Sequence, residues 1–222
     1  MILVSLVFLV LLIIGVPAWL AVTNAFIVAP EPGGPAVVVD APPEPDLIGS
    51  VLAQNDLSLA AVLLTHGHVD HTGGSGQLAR VTGAAVYVHP DDDFLTLHPT
   101  EQLRAIFGMT PPGAYELPDR FESLADGDMI RVAGLELEVR HTPGHTPGHC
   151  CFYLEDQETL FSGDQLFAGS IGRTDLPGGS FTELMKSMQD KVLVLPDETR
   201  VLPGHGPETT IGRERATNPF LG

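Results

Sequence analysis

Thr65-His66-Gly67-His68-Val69-Asp70-His71 stands directly after an apolar run, Ala60 to Leu64, and it decides how the rest of the chain is read. Core packing gives no reason to cluster three imidazoles and a carboxylate in six residues. Imidazole nitrogens and carboxylate oxygens are the donors that Zn²⁺ and related first-row ions take. Side chains two apart at the end of a strand point the same way, so His66 and His68 can reach one ion. Asp70 and His71 lie in the turn that leads into a helix and are redirected toward a second ion. Three further donors sit in Gly- and Pro-bounded loops after strands. They are His145 in T-P-G-H-T-P-G-H, Asp164 after Phe161-Ser162-Gly163, and His205 in Pro203-Gly204-His205-Gly206. The chain has 9 His, and five of them belong to this set. Seven donors exceed what one tetrahedral ion accepts. They suit two ions that share a ligand and leave a position open for water. Two divalent ions bring four positive charges. Asp70, Asp164 and a bridging hydroxide cancel three, and the remainder can polarise a carbonyl.

Working outward, Ala36-Val37-Val38-Val39 is a strand ending at Asp40, a carboxylate placed to hydrogen-bond a ligand imidazole or simply to end the strand. Pro30 to Pro45 is loop on both sides of that strand. Asp46 to Asn55 reads as a helix capped by Asp46. Gly73 to Thr82 reads as a helix, Ala85 to Val88 as a strand, and Asp91 to Phe107 as helical. Met129–Val132 and Leu135–Arg140 form a hairpin through Ala133-Gly134. Cys150–Leu154 and Thr159–Phe161 form another. Phe181 to Lys191 is a helix and Arg200 to Leu202 the final strand. The elements fall into two similar halves, each with donors just after strands. The expected architecture is α/β (α+β), two sheets face to face with helices outside. His89, His98, His141 and His149 read as ordinary core or surface residues.

The bulk numbers limit the partners. A chain of 222 residues fits one sizeable domain, and 44% hydrophobic residues supply its core. A formal charge of −17 with only 11 Lys plus Arg argues against nucleic acid and for a small-molecule substrate. Adjacent Cys150 and Cys151 point to opposite faces of a strand and do not bridge each other; they read as buried thiols, with Cys150 near the metal as the alternative. No charged side chain precedes Glu31. Residues 1–22 are therefore either a membrane helix that tethers the protein or, in part, a first buried strand. Cytoplasmic placement goes with the strand and membrane anchoring with the helix.

T-H-G-H-V-D-H, followed in order by T-P-G-H, S-G-D and P-G-H-G, resembles the motif set of the metallo-β-lactamase-fold hydrolases. Residues 167–180 (FAGSIGRTDLPGGS) and 202–221 (LPGHGPETTIGRERATNPFL) resemble its short, single-domain glyoxalase II-like branch, the hydroxyacylglutathione hydrolase type. The likeness is good from about Asn55 onward and poor over the first fifty residues, where Thr23-Asn24-Ala25-Phe26-Ile27-Val28 stands for a family segment resembling T-N-C-Y-L-V. It implies a four-layer αββα sandwich over residues 23–222 and two Zn²⁺, with Fe or Mn as alternatives in one or both sites. One ion would be held by His66, His68, His145 and Asp164, and the other by Asp70, His71, Asp164 and His205. The implied reaction is hydrolysis of a hydroxyacyl-glutathione thioester by a metal-bound hydroxide that Asp70 helps orient.

The resemblance leaves no counterpart expected for the C-terminal extension with which longer glyoxalase II enzymes grip glutathione. Arg173 and Arg213 are the candidates to meet substrate carboxylates, each equally readable as a structural ion-pair residue. The same scaffold leaves two alternatives: a mononuclear non-haem iron persulfide dioxygenase, and a lactonase or β-lactamase-type hydrolase.

Overall fold

The computed structural model describes residues 11–222. Two six-stranded sheets dominate it. The first holds β1 (Leu12–Ala18), β2 (Thr23–Ala29), β3 (Pro35–Val39), β4 (Ser58–Leu63), β5 (Ala85–Val88) and β6 (Glu122–Ser123), adjacent in that order. The second holds β7 (Met129–Val132), β8 (Leu135–His141), β9 (Cys150–Leu154) and β10 (Thr159–Gly163), then β13 (Arg200–Pro203) and β14 (Thr209–Thr210) beyond β10. A two-stranded ribbon, β11 (Leu166–Phe167) with β12 (Ser170–Ile171), follows β10.

Within the apolar N-terminal segment, β1 pairs antiparallel with β2 along its whole length. Residues 1–10 lie outside the described residues. Among those described, no helix is long and apolar enough to cross a membrane.

Period-two alternation sorts the strand side chains into layers. In β3, Ala36 and Val38 face one core cluster, while Val37 and Val39 face another between the sheets. In β9, Cys150, Phe152 and Leu154 face that inter-sheet layer, while Cys151 and Tyr153 face a third cluster. Both cysteines are thus buried, free and on opposite sides of one strand. The helices α1 (Pro45–Gln54), α2 (Val69–Thr72) and α3 (Ser75–Thr82) fall between strands of the first sheet, as do α4 (Asp93–Thr96) and α5 (Pro99–Phe107). Ile48 and Leu52 of α1 and Leu78 of α3 cover the outer face of the first sheet. From α6 (Phe181–Ser187) and α7 (Ile211–Thr217), Leu184 and Ile211 cover the second. The layers therefore run αββα. Each fully buried Val, Leu, Ile or Phe contributes about 1.5–3 kcal/mol.

Two local expectations are corrected and a third is refined. Asp46 does not cap α1. The helix starts at Pro45, whose fixed φ suits the first turn, and Asp46 instead accepts from Gln77 at 2.8 Å. Residues 91–107 are helical as expected, with a break at Leu97–His98, because Pro99 has no N–H to continue a ladder and starts α5 afresh. The strand at Arg200 is not the last, since β14 pairs with it.

Parallel pairing fixes where the donors gather. β10 and β13 run parallel, so their C-terminal ends lie side by side, and Gly204 donates to the Gly163 carbonyl at 2.8 Å. β4 ends across from the start of β9, where Cys150 donates to the Thr65 carbonyl at 2.7 Å. One rim of the sandwich collects the ends of four strands.

Candidate metal centre

At that rim all seven expected donors converge. They form two triangles. In the first, His66 Nε2 lies 3.0 Å from His68 Nδ1, His68 Nδ1 lies 2.9 Å from His145 Nε2, and His145 Nε2 lies 3.2 Å from His66 Nε2. Three nitrogens facing one point cannot satisfy one another by hydrogen bonds. Tetrahedral zinc with bonds of about 2.0–2.1 Å holds its ligands about 3.3 Å apart, close to these edges. In the second triangle, Asp70 Oδ2, His71 Nε2 and His205 Nε2 are separated by 3.4, 3.3 and 3.3 Å.

Asp164 lies between the two. Its Oδ1 is 3.5 Å from His71 Nε2, and its Oδ2 is 3.5 Å from His145 Nε2 and 3.7 Å from His205 Nε2. Oδ1 is buried with no hydrogen-bond partner. A buried carboxylate oxygen without a donor is costly, and a cation in each triangle, with Asp164 between them, answers that cost. The donor set therefore fits a pair of metal ions.

Neighbouring groups fix each ring. His71 Nδ1 donates to Asp40 Oδ2 at 2.8 Å, and Asp40 Oδ1 accepts from the Thr65 amide at 2.8 Å. His145 Nδ1 donates to the Arg173 carbonyl at 2.7 Å, and His66 Nδ1 meets Thr65 Oγ1 at 3.0 Å. Such bonds hold the tautomer that leaves Nε2 free to ligate. Asp40 adopts φ 61°, an uncommon conformation for a non-glycine residue. Gly204 tolerates no side chain, because a Cβ there would stand 2.4 Å from Asp164 Oδ1 and 2.6 Å from His71 Cε1.

The electrostatics differ between the triangles. Burial lowers the His66 imidazole far below its ordinary value, and with the neighbouring rings takes His68 down to about 3. Burial takes His145 down to about 4. These rings are neutral at pH 7, the form that ligates. Burial would also lower His71, but Asp70, Asp40 and Asp164 outweigh it and raise that ring to about 10. Burial would raise Asp70, yet His71 and His205 hold it well below the usual carboxylate range. Burial raises Asp164.

Several residues that hold the site were not among the expected site residues. Asp92, on the far side of the first triangle, accepts from the Gly67 amide, Thr146 Oγ1 and the Gly148 amide, each at 2.7 Å. It ties the His66–His68 loop to the His145 loop. His149 Nε2 accepts from the Asp164 amide at 3.1 Å and its Nδ1 meets Thr142 Oγ1 at 2.8 Å, so this ring supports Asp164. Asn24 Nδ2 donates to the carbonyls of Pro203 and Gly206 at 3.0 and 2.9 Å and secures the His205 loop. Thr23 Oγ1 donates to Asp70 Oδ2 at 3.0 Å.

Arg173 lines the cleft in front of the triangles. Arg213 is exposed on α7 and is not among the residues lining that cleft. His98 is exposed, 4.0 Å from Glu101. His89, Asp91 and His141 bring donor atoms within 4.8 Å of one another, but the two rings stack at 4.0 Å with planes 5° apart, so their lone pairs lie in separate parallel planes.

The chain matches the Metallo-beta-lactamase superfamily over residues 19–205. It belongs to that family. Among its relatives, the hydroxyacylglutathione hydrolase GloC of Haemophilus influenzae is 37% identical over 186 residues, 84% of this chain and 87% of that protein. Among solved structures, the BLEG-1 B3 metallo-beta-lactamase superposes with a TM-score of 0.86 at 34% identity, covering 95% of this chain and 99% of its own. TTHA1623 in a di-iron-bound form superposes with a TM-score of 0.83 at 40% identity, covering 94% and 100%. The αββα sandwich and the His/Asp clusters are those of a metallo-β-lactamase superfamily hydrolase.

Proposed function

We propose that this chain is a dinuclear metal-dependent hydrolase, zinc being the expected metal, that cleaves a thiol ester. The observation that carries the reading is the pair of donor triangles meeting at Asp164 and opening on one cleft. Likeness to a hydroxyacylglutathione hydrolase supports the thioester. His66, His68 and His145 would hold one ion, Asp70, His71 and His205 the other, and Asp164 both. When bound, such ions supply Lewis-acid polarisation of a carbonyl and a water acidified toward neutrality.

The chain's own part is positional. Asp40 and the Arg173 carbonyl keep the protons of His71 and His145 on Nδ1. Asp70, anchored by Thr23 and lining the cleft, is an acceptor that orients an attacking water. In the overall reaction the water oxygen bonds to the acyl carbon, the C–S bond breaks, and the departing sulfur takes up a proton. Products are a carboxylic acid and a free thiol. Lactam or lactone hydrolysis in the same cleft is the second reading, favoured by the likeness to BLEG-1.

Metal quantification and an activity screen on one preparation test this. About two ions per chain with turnover of thiol esters is the expected result. One equivalent of iron, with oxygen consumed on glutathione persulfide and no ester hydrolysis, would contradict it.

A further inference from the structure

The cleft in front of the triangles has a volume of about 420 Å³. Trp19 from the β1–β2 turn, Ile106 and Phe107 at the end of α5, Phe167 and Ile171 on the β11–β12 ribbon, and Leu176 form its apolar wall. Ile106 and Phe107 are left 51% and 47% exposed. Trp19 is held there by several ties. Its ring meets Phe107 edge-on at 6.0 Å and Tyr115 at 6.4 Å. Its Nε1 donates to the Pro112 carbonyl at 2.8 Å, and its amide donates to Glu44 at 2.7 Å. These contacts maintain φ 62°, a conformation that bulky residues rarely adopt. The indole is thereby fixed as a rigid wall beside the donors.

The charge pattern is the second observation. Among the described residues lining the cleft, Arg173 is the one side chain with a permanent positive charge. Its guanidinium forks onto Asp175, Nε to Oδ1 at 2.7 Å and a terminal nitrogen to Oδ2 at 2.8 Å. The pair presents no net charge to a ligand. The remaining charge-bearing carboxylates at the cleft are Asp70 and Asp164, and the whole chain carries −17. With two divalent ions bound, Asp70 and Asp164 are neutralised, but the chain stays strongly acidic, and beyond the ions the described residues of the cleft wall offer the outer carboxylates of a thiol carrier no cation other than the paired Arg173. An uncharged carrier needs no such partner and gains by removing its apolar surface from water against this wall.

Resting on the hydrolase reading above, we infer that the cleft selects an uncharged thiol ester with apolar substituents and discriminates against glutathione-type carriers. The test uses the metal-loaded full chain. Trp19 is its 1 Trp, so intrinsic fluorescence reports on this wall alone. Two non-hydrolysable thioethers with the same alkyl group are titrated, S-hexylglutathione and S-hexyl-N-acetylcysteamine. The neutral thioether is expected to bind about tenfold tighter, equivalent to about 1.4 kcal/mol. Asp175→Asn, which frees Arg173, should narrow that gap severalfold by improving the glutathione thioether while leaving the neutral one unchanged. Equal or tighter binding of S-hexylglutathione to the unaltered chain overturns the inference, as does an Asp175→Asn variant that leaves the gap as it was. Lactoyl esters of the same two thiols are then offered as substrates. If the neutral thioether binds tighter but neither ester is hydrolysed, the hydrolase reading fails and the selectivity of the cleft stands.

Discussion

The two donor triangles are built on opposite electrostatic principles. His66, His68 and His145 are all nitrogen donors, 0%, 6% and 2% exposed, and burial keeps them neutral. Both triangles border the cleft, but the second is the more open, with the Asp70 and His205 side chains 21% and 30% exposed. It concentrates carboxylates around His71 and raises that ring to about 10. The first is a set of lone pairs waiting in a low-dielectric pocket. The second is a patch of negative charge that holds a proton until a cation replaces it. The comparison teaches that a two-ion site need not be symmetric in affinity, pH response or exposure to substrate.

The largest effect should come from removing what the triangles share. Asp164→Ala is expected to deplete both ions and lower hydrolysis by on the order of 10³-fold, the scale of losing a group that stabilises transition-state charge. Metal analysis and rates check this, with far-UV circular dichroism showing the sandwich retained. Next come substitutions that separate the triangles. Asp40→Asn should weaken the His71 site, and Asp92→Asn, which loosens the Gly67 and Gly148 loops, should weaken the His66–His68–His145 site. Each should cost about 10–100-fold in metal affinity, read by chelator competition. Loss of the same ion in both variants would erase the distinction.

The smallest effect is in protons. In the metal-free chain His71 keeps its proton below about 10, so an ion entering that triangle must displace it. Affinity there should rise by at least about tenfold per pH unit between pH 6 and 9, and more steeply at the low end, where His205, raised by Asp70 and Asp164, carries a proton as well. His68 and His145, brought down to about 3 and 4, are already deprotonated over that range, and affinity at their triangle should stay flat. Calorimetry in buffers of different ionisation enthalpy counts the protons released by each ion.

Much of this asymmetry was hidden in the sequence. The donors were legible because His66, His68, Asp70 and His71 crowd into one turn, and because Asp164 and His205 follow strands at glycine-bounded ends. The sandwich was legible through alternation in runs such as Ala36–Val39. Asp92 was not: it is one acid in the run Asp91-Asp92-Asp93, and only its contacts across 25 and 54–56 residues show what it holds. His149 read as ordinary because a ring that accepts from a backbone amide has the same sequence signature as any buried histidine. Arg173 read equally as a clamp or as a structural ion-pair residue, and only the structure shows its fork onto Asp175. The Trp19 wall was obscured inside an apolar run whose hydropathy suits a membrane helix as well as a β-hairpin.

The most direct measurement is anomalous diffraction at the zinc edge from crystals of the zinc-loaded chain. The account predicts two peaks, one within His66, His68 and His145 and the other within Asp70, His71 and His205, with Asp164 bordering both. A single peak, or a second one away from Asp164, would contradict it.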